Sequence, residues 1–170
     1  IGAFTRRFAS RRGTRGAHRR ERLEHLARGP RPGGRIRFTF NQSSDNAYPA
    51  WSPDGTRLAF SSDRDGHYDL YQHANGAGEP ELLLKSDNEK NLTDWSHDGR
   101  FLLFDQPNGK IGRDLGVLPI IGSGDSAGER KSLPFLRSDF DSRQAHFSPD
   151  GRWIAYRSNE SGRNEIYVRP

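Results

Sequence analysis

One ten-residue pattern occurs three times in this chain without a gap, and it limits the possible folds more than any other feature. The copies are Trp51-Ser52-Pro53-Asp54-Gly55-Thr56-Arg57-Leu58-Ala59-Phe60, Trp95-Ser96-His97-Asp98-Gly99-Arg100-Phe101-Leu102-Leu103-Phe104 and Phe147-Ser148-Pro149-Asp150-Gly151-Arg152-Trp153-Ile154-Ala155-Tyr156. Each reads as strand, tight turn, strand. Pro at the second position of a type I turn is pre-set near φ of about −65°, and Gly at the fourth relieves crowding. Trp51, Pro53, Asp54, Gly55, Trp95, Asp98, Gly99, Pro149, Asp150 and Gly151 are therefore read as a structural turn motif. His97 replaces Pro in the middle copy, where Pro is favoured and not obligatory, so that turn is expected to form at a slightly larger entropy cost. The aromatic before each turn and the apolar residues after it are expected in the core.

A further strand follows each copy, at Tyr68 to Tyr71, Asp114 to Leu118 and Asn164 to Val168, and a fourth follows the first two copies, at Glu81 to Leu84 and Arg130 to Phe135. Four antiparallel strands per repeat make a propeller blade. The turn aspartates Asp54, Asp98 and Asp150 are spaced by 44 and 52 residues, close to the roughly 40 to 50 of blade repeats. Arg35 to Phe40 reads as one extra strand, the outer strand of a preceding blade. The expected fold is all-β: a partial β-propeller of about three blades over residues 34–170. Rings close with roughly 4 to 8 blades, so the chain is expected to be a piece of a larger propeller. Its open blade edges present unpaired strand backbone, from which self-association is expected.

The chain has 170 residues and a formal charge of +5, and the charge is unevenly placed. Residues 1–40 hold 12 Arg against 2 Glu, and the remainder carries 15 basic and 20 acidic residues. A basic tail on an acidic body is not a basic domain, so no nucleic-acid partner is expected. Residues 1–33 lack apolar periodicity and are read as a disordered, Arg-rich tail or a spurious extension. A twin-arginine export signal at Arg6-Arg7 fails, because Phe8-Ala9-Ser10-Arg11-Arg12 follows where an apolar run is needed. With no Cys, disulfides and cysteine-ligated metals are excluded. The absence of Met fits a piece of a longer reading frame. No apolar run approaches the roughly 20 residues of a membrane-spanning helix.

Trp51-Ser52-Pro53-Asp54-Gly55 with Arg57-Leu58-Ala59-Phe60-Ser61-Ser62 and Asp69-Leu70-Tyr71 resembles the WD40-like β-propeller repeats of the TolB type. A narrower resemblance lies in Leu26-Ala27-Arg28-Gly29 with Arg37-Phe38-Thr39-Phe40, in Glu81 to Ser86, and in Ser148 to Tyr156 continuing through Ser158 to Pro170. These strings are similar to the C-terminal propeller of bacterial serine/threonine protein kinases, a propeller type also found in transcriptional regulators. The resemblance implies a non-catalytic sensor or binding region, extracytoplasmic in the kinases, with the enzyme activity elsewhere in the parent. Two alternatives stand beside it: the propeller of a prolyl-oligopeptidase-like serine peptidase, and a stand-alone TolB-like periplasmic scaffold. Gly116 departs from the family, which usually has Trp after Asp114-Leu115, so an inter-blade contact worth about 3 kcal/mol is expected to be missing.

Chemistry-bearing motifs are few. Gly124-Asp125-Ser126-Ala127-Gly128 fits the GxSxG nucleophile pattern, but a Gly-rich loop between two strands is not the strand-to-helix elbow that motif needs. Asp63, Asp65 and Asp69 are the one calcium candidate, since hard cations take several oxygen ligands from a tight loop. The EF-hand spacing is not met, so a metal-free hairpin turn is favoured. His67 and His73 lack a paired ligand spacing. No catalytic residue and no cofactor is assigned.

Overall fold

The computed structural model describes residues 34–35, 37–40, 43–74, 78–120 and 130–170. Phe38–Pro170 forms one compact unit. Its strands are β1 (Asn46–Trp51), β2 (Arg57–Ser62), β3 (Asp69–Ala74), β4 (Glu81–Leu84), β5 (Asn91–Trp95), β6 (Phe101–Pro107), β7 (Arg113–Pro119), β8 (Leu133–Leu136), β9 (Ser142–Phe147), β10 (Ile154–Ser158) and β11 (Glu165–Arg169). They pair antiparallel in chain order into sheets of four, four and three strands: β1 to β4, β5 to β8, and β9 to β11. The chain is a partial β-propeller of two complete blades and a third of three strands. The Arg-rich segment 1–33 lies outside the described residues.

Strand alternation decides which side chains meet at each blade junction. Ala59 and Leu70 point from the back of blade one into a cluster with Leu92, Trp95, Leu102, Phe104 and Leu118 from the front of blade two. Leu103 and Leu115 on the back of blade two meet Ala145, Ile154 and Tyr156 on the front of blade three. Blade two buries both faces of its pleated sheet against its neighbours, and the clusters supply the hydrophobic driving force at about 25 cal/mol per Å² of apolar area.

Junctions differ in their polar ties. Between blades one and two, Leu92 N–H donates to Ser61 Oγ at 3.0 Å, and the fully buried Lys90 Nζ donates to Asp69 Oδ1 at 3.1 Å and to the Asn88 carbonyl at 2.7 Å. Between blades two and three, Asn108 Nδ2 donates to the carbonyls of Ser138 and Phe140, and the exposed Lys110 pairs with Asp139 at 2.6 Å.

Three expectations are corrected. The described part of 35–40 holds no strand, and Phe38 sets its ring edge-on to Trp51 and His73, at 6.2 and 5.1 Å between centroids. Trp51 is not core. It is 58% exposed whereas Trp95 is 5% exposed, because Trp95 inserts between two blades, under the Arg57 guanidinium 5.0 Å from its ring. Finally, Gly116 leaves no gap: the Phe104 ring fills its site, and a Cβ there would lie 2.3 Å from Phe104 Cζ.

Candidate functional site

The motif residues found in the sequence sit at the three hairpins between the first and second strands of the blades. In each, the glycine N–H donates to the serine carbonyl three residues back: Gly55 to Ser52 at 2.8 Å, Gly99 to Ser96 at 2.9 Å and Gly151 to Ser148 at 2.8 Å. The glycines take φ of 66°, 75° and 68°, where a side chain is strained. Pro53, His97 and Pro149 occupy the second turn position.

Serine and aspartate bind the turn together, a role that Pro and Gly alone do not explain. Ser52 Oγ donates to Asp54 Oδ1 at 2.6 Å and accepts the Arg57 N–H at 2.9 Å. Ser96 with Asp98, and Ser148 with Asp150, repeat the arrangement at 2.7 and 2.5 Å. The Ser52 hydroxyl and the Thr56 N–H hold the Asp54 carboxyl down to about 2. For Asp98 the Arg100 N–H and the Ser96 hydroxyl do the same, also to about 2, and Asp150 is lowered by Ser148 and the Arg152 N–H. Ser52, Ser96 and Ser148 were missed in the sequence, although their threefold recurrence two residues before Asp was the available signal.

Asp63, Asp65 and Asp69 are not brought together. Asp63 Oδ1 accepts the Asp45 N–H at 2.7 Å, Asp65 Oδ2 accepts the Tyr71 hydroxyl at 2.7 Å, and Asp69 is buried against Lys90. Among the described residues no group of three His, Asp or Glu is placed to hold a metal ion. His73 is buried, with Nε2 3.0 Å from the Gly78 carbonyl. The Gly124-to-Gly128 motif lies outside the described residues.

A different set of residues forms a cleft among the described residues. It measures about 580 Å³, within the usual range for ligand sites. Its wall is built from the first strand of each blade: Tyr48 and Pro49 of β1, Leu92 and Thr93 of β5, Gln144 and His146 of β9. Each of β1, β5 and β9 is the terminal strand of its sheet, so one backbone edge of each lacks a strand partner within its blade. Their pairing with the second strands breaks register at equivalent places, between Ala47 and Ala50 and between Leu92 and Asp94, and against β10 between Ala155 and Arg157. Tyr48 and Gln144 stand at these bulges with φ of 55°. Non-glycine residues seldom adopt that conformation, and it re-aims the neighbouring side chains toward the cleft.

Thr93 and Arg157 line the cleft. Thr93 Oγ1 and Arg157 Nε are buried without a hydrogen-bond partner, while Arg157 Nη2 donates to Asp141 Oδ2 at 3.1 Å. Asp94 Oδ2 accepts the Phe147 N–H at 2.9 Å and lies 3.7 Å from His146 Nδ1, tying β5 to β9 beside the cleft. Burial pushes the Asp105 carboxyl up, and the Arg113 guanidinium and the Asn91 side-chain amide pull against that shift. Arg113 Nε donates to Asp105 Oδ1 while its Nη1 reaches Glu89 at 2.7 Å. Such a buried, fully paired group holds the wall rigid. The periodicity of the sequence did not mark these positions, since bulges interrupt it.

The sequence matches no family model and no curated protein. Solved structures do resemble the fold. A putative TolB from Agrobacterium tumefaciens matches with a TM-score of 0.59 at 21% identity, over 77% of this chain and 46% of that one. TolB from Acinetobacter baumannii matches with a TM-score of 0.63 at 19% identity, over 81% of this chain and 33% of that one. A nidogen/laminin complex matches with a TM-score of 0.55 at 10% identity, over 77% and 46%. The chain thus has the TolB-type β-propeller fold and spans less than half the length of each of these neighbours. Identities this low speak for the fold alone.

Proposed function

We propose that this chain is a binding scaffold, non-catalytic in itself, whose inner-strand cleft takes an extended segment of a partner protein. The observation that carries this reading is the convergence of three bulged edge strands on one cleft, whose lining includes Thr93 and Arg157, each with a buried polar atom without a partner. An unpaired strand edge offers backbone hydrogen bonds to an extended peptide, and the polar lining residues offer side-chain selection. The turn residues serve the scaffold, not the ligand. The proposed division of the chain is a basic segment 1–33 and a propeller segment 34–170. Among the described residues no helix is long and apolar enough to cross a membrane.

For the parent protein, the similarity of Ser148 to Pro170 to kinase-borne propellers supports the sensor region of a bacterial serine/threonine protein kinase or transcriptional regulator. The two TolB neighbours support a TolB-like scaffold as the second reading. The complete gene separates them: kinase motifs upstream support the sensor, and a signal peptide with no catalytic domain supports the scaffold.

Panning a displayed peptide library against the chain tests the binding reading. The expected result is an enriched peptide family whose affinity falls by about tenfold or more on Thr93→Val and on Arg157→Gln. No enrichment, or binding indifferent to both substitutions, contradicts it.

A further inference from the structure

The two linkers between blades repeat one another. Between β4 and β5, Ser86 N–H donates to Asp69 Oδ1 at 3.2 Å and Asn88 N–H to Ser86 Oγ at 3.4 Å. Between β8 and β9, Ser138 N–H donates to Asp114 Oδ1 at 3.1 Å and Phe140 N–H to Ser138 Oγ at 3.2 Å. What holds the carbonyl of the third residue differs. Lys90 Nζ donates to the Asn88 carbonyl at 2.7 Å, whereas the Phe140 carbonyl accepts from the side-chain amide of Asn108, on the hairpin between β6 and β7, at 3.3 Å. The same Nδ2 donates to the Ser138 carbonyl at 3.2 Å, and Asn108 Oδ1 accepts the N–H groups of Lys110 and Gly112 at 2.9 and 3.3 Å. Hairpin and linker are in close contact: a Cβ on Gly112 would lie 2.6 Å from the Phe140 carbonyl oxygen. Asn108 belongs to blade two, which has a neighbour on either side.

Gly109 follows Asn108, and an Asn-Gly pair is chemically labile. With no Cβ in the way, the glycine nitrogen attacks the side-chain amide carbon, ammonia leaves and a succinimide ring closes. Water then opens the ring to aspartate or isoaspartate. Gly109 is exposed with φ of 77°, and a Cβ there would meet nothing within 4 Å, so water reaches the ring. We propose that Asn108 is a deamidation site governed by the junction it closes, a one-way latch between the β6–β7 hairpin and the β8–β9 linker. While the latch is shut, four hydrogen bonds fix the amide and keep it from turning onto the Gly109 nitrogen. When the hairpin lifts from the linker, the amide is released and reacts. The product does not close as before. An aspartate has no N–H to give, and its carboxylate would face the carbonyl oxygens of Ser138 and Phe140; an isoaspartate also lengthens the hairpin backbone by one carbon. Lys110 does not neutralise the new charge, because it pairs with Asp139 at 2.6 Å. The first junction, latched by a lysine, carries no such reaction.

The test is peptide mapping of the full chain held in mildly alkaline buffer with and without urea, which separates Asn108-Gly109 from the other Asn-Gly pair, Asn75-Gly76. Asn108 should convert at least about tenfold faster in urea, since reaction in the folded chain waits on local opening. Gly112→Ala, whose methyl group meets the Phe140 carbonyl, should speed conversion by about tenfold in a chain that circular dichroism shows to be folded. Hydrogen exchange of Asn108→Asp reads the consequence: residues 138–147 should exchange at least about tenfold faster than in the unaltered chain, with β2 and β3 unchanged. Equal conversion with and without urea, no conversion of Asn108 in urea, a folded Gly112→Ala chain that converts no faster, or an Asn108→Asp chain whose residues 138–147 exchange as before would each overturn the proposal.

Discussion

Leu115 and Ile166 hold the same place in successive blades, yet Leu115 is 1% exposed and Ile166 73%. Each strand pairs with the second strand of its blade, but β7 is also flanked by β8 whereas β11 ends its sheet. The difference in exposure also comes from what stands behind the sheet: blade three covers Leu115, and no described residue covers Ile166. A blade is thus a half-finished core, and the value of an apolar residue in it depends on the neighbour it meets. Trp95 and Trp51 teach the same lesson from the other end of the segment, one clasped between blades and the other facing out.

That comparison can be broken most forcefully by truncation. Leu115→Ala should destabilise the fold by about 2–5 kcal/mol, as for other leucines removed from a packed core, while Ile166→Ala should change stability by less than about 0.5 kcal/mol. Chemical unfolding of both variants measures the contrast. Equal losses would mean that blade three is covered on both faces.

The polar ties offer a second contrast of comparable size. Lys90→Met strands the buried Asp69 carboxylate at the first junction and should cost about 3–5 kcal/mol. Lys110→Ala removes an exposed pair at the second junction and should cost under about 1 kcal/mol. Urea midpoints of the two variants compare the junctions directly.

A smaller effect belongs to the turns. Their aspartates have folded-state pKa values below the ordinary 3.8, at about 2 for Asp54 and Asp98. A lowered carboxyl contributes stability that is present above the unfolded value and lost as pH falls through the folded one. Stability should therefore fall between pH 3.8 and about 2, and Asp98→Asn should flatten part of that fall in urea midpoints taken across the range. A profile unchanged by Asp98→Asn would take Asp98 out of the acid response. Smallest of all, His97→Pro should raise stability by about 0.4–1 kcal/mol by restricting the unfolded chain, as Pro already does in the other two turns. Thermal denaturation detects a gain of that size.

Strand order and the three hairpins were legible because period-two alternation and Ser-x-Asp-Gly turns are local properties, written within about ten residues. Glu81 to Leu84 was matched as β4 for the same reason. What failed required knowledge of partners. Arg35 to Phe40 has the composition of a strand, yet its described residues form none, and Gly116 reads as a missing contact in the sequence although Phe104 occupies its space. The cleft was hidden for a related reason. Its wall comes from three strands far apart in sequence, and the bulges that shape it, at Tyr48 and Gln144, sit on residues whose side chains do not announce a positive φ. Asp63, Asp65 and Asp69 are close in sequence, yet strand alternation and burial send them to separate partners.

Native-state hydrogen exchange on the chain tests the central claim most directly, because it reports the opening free energy of each strand in one molecule. The account predicts that the amides of β6 and β7, packed on both faces, exchange only through global unfolding, and that those of β11 exchange through a separate opening of lower free energy. Protection of β11 equal to that of β6 would contradict it.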